Sequence, residues 1–270
     1  MQKKKIGIIG CGNMGEAILR GLHRKGMAKG IVVSELRPDR REYIKKNYGV
    51  ETLSDNRAVA SQVQVVILAV KPQELKGVLQ EIAPALEPST LLISIAAGAS
   101  LGAIASILAK DVRLIRAMPN IAALALESAT ALSPGAEVTA ADLEMAREIF
   151  NAMGRTVIIA ESLMDAVTGM SGSGPAYVSL FIEALADGGV RMGLPRKDAL
   201  DMAIQTVLGT ARLLSEQGEH PAHLKDRVAS PGGTTIAGIA ALEAKGFRGA
   251  VMEAVAAATQ RSKELAKLQG

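Results

Sequence analysis

Cysteine occurs once in this 270-residue sequence, tryptophan not at all, and phenylalanine, tyrosine and histidine three times each. The single thiol, Cys11, excludes an intramolecular disulfide framework and fits a reducing cytoplasm. His23, His220 and His223 lack a zinc-ligation motif, so no metal is expected. With so few aromatic rings, the helical second half must build its core from Ala, Leu, Ile, Val and Met, although a hydrophobic content of 49% over the chain is enough to bury a sizeable core. A net charge of +4 is too small to imply a nucleic-acid partner. Long unbroken apolar runs are also missing. Leu91 to Ala109 carries no charge, but Gly98, Ser100 and Gly102 interrupt it, so it reads as a buried strand over Leu91 to Ile95, a turn at Ala96 to Gly98 and a helix beginning near Ser100, not as a membrane span. The basic start Lys3-Lys4-Lys5 is not followed by the apolar stretch of a signal peptide and reads as a solvated lead-in to the first strand.

What is there begins with glycine. Lys5 to Ile9 is a short apolar run of strand type that leads into Gly10-Cys11-Gly12-Asn13-Met14-Gly15 and then a helical pattern through Ala17, Ile18 and Leu22. In a strand, glycine turn and helix of this kind, Gly10 permits the tight turn, Gly12 lets the backbone approach a pyrophosphate, and Gly15 lets helix and strand pack closely. Glu35 closes the next strand, Ile31 to Val33, where an acid can accept from a ribose 2′-hydroxyl. Arg37 follows two residues later, where a guanidinium can clamp a 2′-phosphate. Glu35 favours NAD and Arg37 favours NADP, and these residues leave the choice open.

Further runs at Val63 to Val70, Leu91 to Ile95, Val112 to Ile115, Ala129 to Leu132 and Thr156 to Ile159 read as strands separated by helical stretches. That alternation predicts an α/β fold with a Rossmann-type, doubly wound, mostly parallel sheet. Ligands then sit at the carboxyl ends of the strands, which directs Ala69-Val70-Lys71-Pro72 and Ile95-Ala96-Ala97-Gly98 toward the cofactor and Met118-Pro119-Asn120 toward its nicotinamide end. After Ala160 the pattern is almost wholly helical, so residues 1–160 are expected to form the dinucleotide-binding domain and 161–270 an all-helical second domain. A helix is expected over Ala176 to Met192, with Gly188-Gly189 marking a close approach of another backbone. Thin helices built from small side chains bury little area each, so this half is expected to pack against a second copy of the chain.

Ser230-Pro231-Gly232-Gly233-Thr234-Thr235 precedes another apolar helical run. Read with Ser230 at the N-cap and Pro231 at the first helical position, it would leave the N–H groups of Gly233 and Thr234 facing a carboxylate or phosphate.

Taken together, Ile9 to Gly15, Ala69 to Pro72, Ser94 to Gly98, Ser171-Gly172-Ser173-Gly174-Pro175-Ala176-Tyr177, His220-Pro221 with Leu224-Lys225-Asp226, and Ser230 to Thr235 resemble the pyrroline-5-carboxylate reductase family. The match runs in order from Ile6 to about Leu265. The resemblance implies reduction of 1-pyrroline-5-carboxylate to L-proline with NADP, NAD being the alternative. It further implies a cytoplasmic homodimer with interleaved helical domains, often built into a ring of dimers, whose active site joins a nucleotide domain to the partner's helical domain. Cofactor contacts then fall on Ile9, Gly10, Cys11, Gly12, Asn13, Met14, Arg37, Asn56, Ala69, Val70, Lys71, Pro72, Ile95, Ala96 and Ala97. Substrate contacts fall on Glu161, Ser230, Gly233, Thr234 and Thr235, with Thr235 the catalytic hydroxyl beside the ring nitrogen. Arg227 departs from the family, which can place asparagine there. Two rivals remain open: another imine or β-hydroxyacid reductase, and a non-catalytic NAD(P)-sensing protein. Against the β-hydroxyacid reading, no lysine occurs between Lys110 and Lys197.

Overall fold

The structure, a computed structural model, describes residues 5–109 and 111–269. Lys3 and Lys4 of the basic lead-in lie outside the described residues. Eight strands form one sheet: β1 Ile6–Ile9, β2 Ile31–Ser34, β3 Glu51–Leu53, β4 Val65–Leu68, β5 Leu91–Ser94, β6 Arg113–Met118, β7 Ser128–Pro134 and β8 Gly154–Ile158, in the order β3-β2-β1-β4-β5-β6-β7-β8. β1, β2, β4 and β5 are buried at every residue, which is why they read as continuous apolar runs and not as alternating ones. The connection from β6 to β7 holds only a short 3₁₀ turn, Ile121–Ala125, which is too short for a crossover, so that pair alone runs antiparallel. This is the expected doubly wound, mostly parallel sheet. The sequence pattern missed β3, because an edge strand reading Glu-Thr-Leu with an exposed first residue carries no apolar signature.

Helices cover both faces of the sheet. α1 Asn13–Arg24 and α6 Ala140–Asn151 pack Ile18, Leu22, Ile149 and Phe150 against Ile8, Val33, Ile67 and Ile93. On the other face, α3 Asn56–Ala60, α4 Pro72–Ile82 and α5 Leu101–Leu108 pack Val59, Leu79 and Ile104 against Ile9, Val32, Val66 and Leu92. Neighbours such as Ile8 and Ile9 serve opposite faces because side chains alternate along a strand. α2 Pro38–Tyr48 follows β2, and α7 Met164–Val167 lies under Met118 and Ala131. The charge-free stretch 91–109 resolves into β5, a turn and α5, which Ser100 caps by accepting from the Ala103 N–H at 3.1 Å. Among the described residues no helix is long and apolar enough to cross a membrane.

The chain divides into two compact units, residues 1–172 with 257–270, and residues 173–256. The second contains α8 Gly174–Arg191, α9 Arg196–Gln217, α10 Pro221–Val228, α11 Thr234–Ala244 and the first part of α12 Phe247–Gln269. α8 and α9 form a hairpin through Gly193, whose φ is +102°. Of the two adjacent glycines in α8, Gly189 makes the close approach: a Cβ there would lie 3.3 Å from the Ala199 Cβ, whereas one on Gly188 would meet nothing within 4 Å. Among the described residues of this unit, only Ala186, Ala199 and Ala203 are buried hydrophobics.

Candidate active site

The glycine turn divides its labour among three positions. Gly10 has φ +85°, and its N–H donates to the Ser34 carbonyl at 2.9 Å, joining β1 to β2 at their carboxyl ends. A Cβ on Gly15 would lie 2.2 Å from the Gly10 carbonyl oxygen, so α1 sits as close to the turn as a backbone allows. A Cβ on Gly12 would meet nothing within 4 Å. That is open space at the N-cap of α1, where no side chain caps the first amides and the helix dipole favours an anion.

In front of Gly12 lies a cleft of about 630 Å³ lined by Gly10, Gly12, Asn13, Ser34, Glu35, Leu36, Arg37, Asn56, Ala69, Val70, Lys71, Glu74 and Val78. Its position follows from the topology. The strand order reverses between β1 and β4, and the connections leaving their ends diverge to opposite faces. Of the expected cofactor residues, Gly10, Gly12, Asn13, Arg37, Asn56, Ala69, Val70 and Lys71 come together here. Ile9 and Cys11 lie buried behind the turn, where burial pushes the Cys11 thiol up to about 12. Met14 packs on the core, and Pro72 starts α4 and borders a separate groove beside Gly98 and Ser100. Ala96 is buried, Ile95 half-buried and Ala97 exposed.

Glu35 lines the cleft at the end of β2, and its carboxylate accepts from the Cys11 N–H at 3.3 Å and from the Arg37 N–H at 3.1 Å, with the Arg37 Nε at 3.3 Å. Glu35 is nearly buried, whereas the Arg37 side chain is 61% exposed at the rim. Spacing placed the acid at the end of β2 but could not show that Cys11 and Arg37 both bond to it. Asn56 is similarly engaged, accepting from the Ser34 hydroxyl at 2.6 Å and donating to Glu81 at 2.8 Å.

Glu161 is tied into the first unit. It accepts from the Leu101 N–H at 2.6 Å, at the first turn of α5, and pairs with Arg116 of β6 at 3.4 Å. Its contacts therefore fix the start of the helix that follows the 95–98 turn. Asn120 donates to the Ser171 carbonyl at 3.0 Å and so holds the glycine-serine segment, which begins as a turn of π-helix over Thr168–Gly172.

The hexapeptide 230–235 also differs from its sequence reading. The helix begins at Thr234 with Gly233 as N-cap, and Ser230 caps nothing. Pro231 and Gly232, the latter at φ +65°, occupy the centre of a tight turn closed by the Gly233 N–H donating to the Ser230 carbonyl at 3.1 Å. Proline fits the second position of such a turn as well as it fits a helix start, and the positive-φ glycine after it decides for the turn. The uncapped donors are consequently those of Thr234 and its successors, not Gly233. The Ser230 hydroxyl stays beside them, since a Cβ on Gly233 would lie 2.3 Å from it.

The Methanosarcina acetivorans protein named pyrroline-5-carboxylate reductase is 46% identical over 269 residues, 99% of this chain and 100% of that one. The chain belongs to the pyrroline-5-carboxylate reductase family. The Synechocystis reductase is 51% identical over 97% of this chain and 98% of its own. The structure of the Coxiella burnetii reductase superposes with a TM-score of 0.96 at 36% identity, covering 98% of this chain and 99% of that one. The Plasmodium falciparum pyrroline carboxylate reductase, solved with NADP bound, gives 0.84 at 33%, with 98% and 99% covered. Residues 161–265 match the family model described as pyrroline-5-carboxylate reductase dimerisation, and residues 5–98 one described as NADP oxidoreductase coenzyme F420-dependent. The chain is an NAD(P)-dependent oxidoreductase.

Elsewhere in the chain, the remaining singled-out residues have local duties. His220 caps α10 by accepting from the Ala222 N–H at 3.2 Å. Arg227 is paired with Glu219 at 2.7 Å and donates to Gln217 at 3.1 Å, which ties α10 to the end of α9. Tyr177 donates to the Ala254 carbonyl at 3.3 Å. The reductase leaves large apolar side chains exposed across its dimerisation region, among them Leu180 at 67%, Met202 at 60% and Met252 at 68%. Sequence reasoning missed Arg40 and Glu16 beside the glycine turn, because their meeting depends on how α2 packs against α1.

Proposed function

We propose that this enzyme reduces 1-pyrroline-5-carboxylate to L-proline, the last step of proline synthesis, in the cytoplasm and with NADPH preferred over NADH. The observation that carries the cofactor reading is the open space at Gly12 in a cleft that runs from the first amides of α1 to Arg37. The residues fit a dinucleotide: bare amides for the pyrophosphate, and Asn56, Ala69 to Lys71 and the 95–97 turn for the rest. NADPH is favoured because the Arg37 guanidinium, held to Glu35 through its Nε, stands largely exposed at the rim, while Glu35 already accepts from Arg37 and from the Cys11 N–H. When bound, the cofactor supplies a hydride to the carbon of the C=N bond.

The chain's own residues hold the substrate. The N–H groups at the start of α11 and the Ser230 hydroxyl grip its carboxylate, a charge that the helix N-terminus favours. Thr235 presents its hydroxyl to the ring nitrogen, orienting a protonated imine or relaying to a neutral one a proton that it takes back from solvent. Gly233 contributes by lacking a side chain, which leaves room for both Ser230 and the ligand. Glu161 acts at the start of the substrate-binding and dimerisation domain, residues 161–270, with 1–160 as the nucleotide domain. The assay that decides between this and a non-catalytic sensor is NADPH oxidation with 1-pyrroline-5-carboxylate; no turnover would defeat the reading.

Two expected outcomes arise here. Arg37→Ala should raise the KM for NADPH by about tenfold, the worth of one charge-assisted hydrogen bond, and leave that for NADH almost unchanged. Equal effects on both would remove Arg37 from the 2′-phosphate. Sedimentation should find a homodimer, or a ring of dimers, because a unit whose described buried hydrophobics are three alanines cannot hide Leu180, Met202 and Met252 by itself. A stable monomer at micromolar concentration would refute this.

A further inference from the structure

Both polar groups of Cys11 are held by side chains. Its N–H donates to Glu35 at 3.3 Å, and its carbonyl accepts from the Arg40 Nε at 2.9 Å. Arg40 does not line the cleft; its guanidinium turns back to Glu16 of α1, with both side chains only 19% exposed. Glu16 in turn accepts from the Tyr48 hydroxyl at 2.7 Å and from the Tyr43 hydroxyl at 3.2 Å, and the Arg40 guanidinium lies 4.9 Å from the Tyr43 ring centre. Burial works against the Glu16 charge, yet the bonds from Tyr48 and Arg40 hold its carboxyl below the ordinary value, so the cluster is organised around an ionised acid.

In a planar trans peptide the carbonyl and the following N–H point in opposite directions. A Cys11 carbonyl clamped toward Arg40 therefore aims the Gly12 N–H away from it. Glycine at position 12 offers no steric resistance to a flip of that peptide, and a flipped carbonyl would set a partial negative charge against a pyrophosphate.

We infer that Arg40 is a positioning residue: locked by Glu16, Tyr43 and Tyr48, it clamps the Cys11 carbonyl so that the Gly12 amide is preorganised for the dinucleotide's pyrophosphate. This rests on the reading of the glycine turn as the cofactor site. The clamp acts on a part shared by NADH and NADPH, and so differs in kind from a ligand of the 2′-phosphate such as Arg37.

The test measures dissociation constants for NADPH and NADH, by nicotinamide fluorescence, on the full-length wild type, Arg40→Met, Glu16→Gln and Arg37→Ala, with thermal melting of each. Arg40→Met should weaken both nucleotides by a common factor of about tenfold, and the loss should fall on the cofactor KM more than on kcat. Glu16→Gln should weaken both by a smaller common factor. Constants for both variants within about two-fold of wild type, or a loss confined to NADPH, would overturn the clamp. Should Arg40→Met fail to fold, Glu16→Gln decides by the same criteria. Wild-type protein that bound neither nucleotide would instead overturn the cofactor reading on which the clamp stands.

Discussion

Removing the Thr235 hydroxyl in Thr235→Ala is expected to lower kcat about 10²-fold while the dissociation constant for NADPH stays within about two-fold of wild type. The proposed carboxylate grip uses backbone N–H groups at the start of α11 and Ser230, neither of which the substitution touches, so the substrate KM should change less than kcat. Thr235 is half-buried at the second position of the helix, and alanine, which removes only the hydroxyl and the γ-methyl, keeps the helix start intact. Thr235→Ser, which keeps the hydroxyl, should recover most of the activity. An unchanged kcat in Thr235→Ala would show that the imine needs neither orientation nor a proton from this residue.

Gly12→Ala and Gly15→Ala should fail in opposite ways. At Gly15 the new Cβ would lie 2.2 Å from the Gly10 carbonyl oxygen, and because both sides of that contact are backbone, no rotamer relieves it. The whole of α1 must move, at a cost of about 3 kcal/mol or more in stability. At Gly12 the new Cβ meets nothing within 4 Å, and φ of −70° suits any residue, so the thermal midpoint should hardly change. NADPH affinity should nevertheless fall by about 10²-fold, since the methyl occupies the approach of the pyrophosphate. Denaturation curves and nucleotide titrations on both variants separate the two roles. A Gly12→Ala protein that bound NADPH normally would mean that the turn is only a turn.

The sheet was largely legible in the chain because its inner strands are buried on both faces, and burial of that kind writes itself as short apolar runs such as Val65 to Leu68. The strand that was missed, Glu51–Leu53, lies at the edge, where solvent tolerates a charged residue. The roles of Gly10 and Gly15 were equally readable, since a positive φ and a close helix-to-turn contact are steric demands that other residues cannot meet. Glu35 and Ser230 show the limit. Their positions were foreseen, but hydrogen-bonding partners belong to the fold: Glu35 accepts from the turn it was expected to stand beside, and Ser230 starts a turn, not a helix.

By itself the sequence determined the fold class and the glycine turn, because periodicity and steric exceptions are local properties, and its ordered motifs carried the resemblance to the family. Only the tertiary structure decided which polar groups are already satisfied and which remain free for a ligand. That question turns on what lies opposite each donor and acceptor, as Arg40 of α2 lies opposite the Cys11 carbonyl, and packing alone brings such groups face to face.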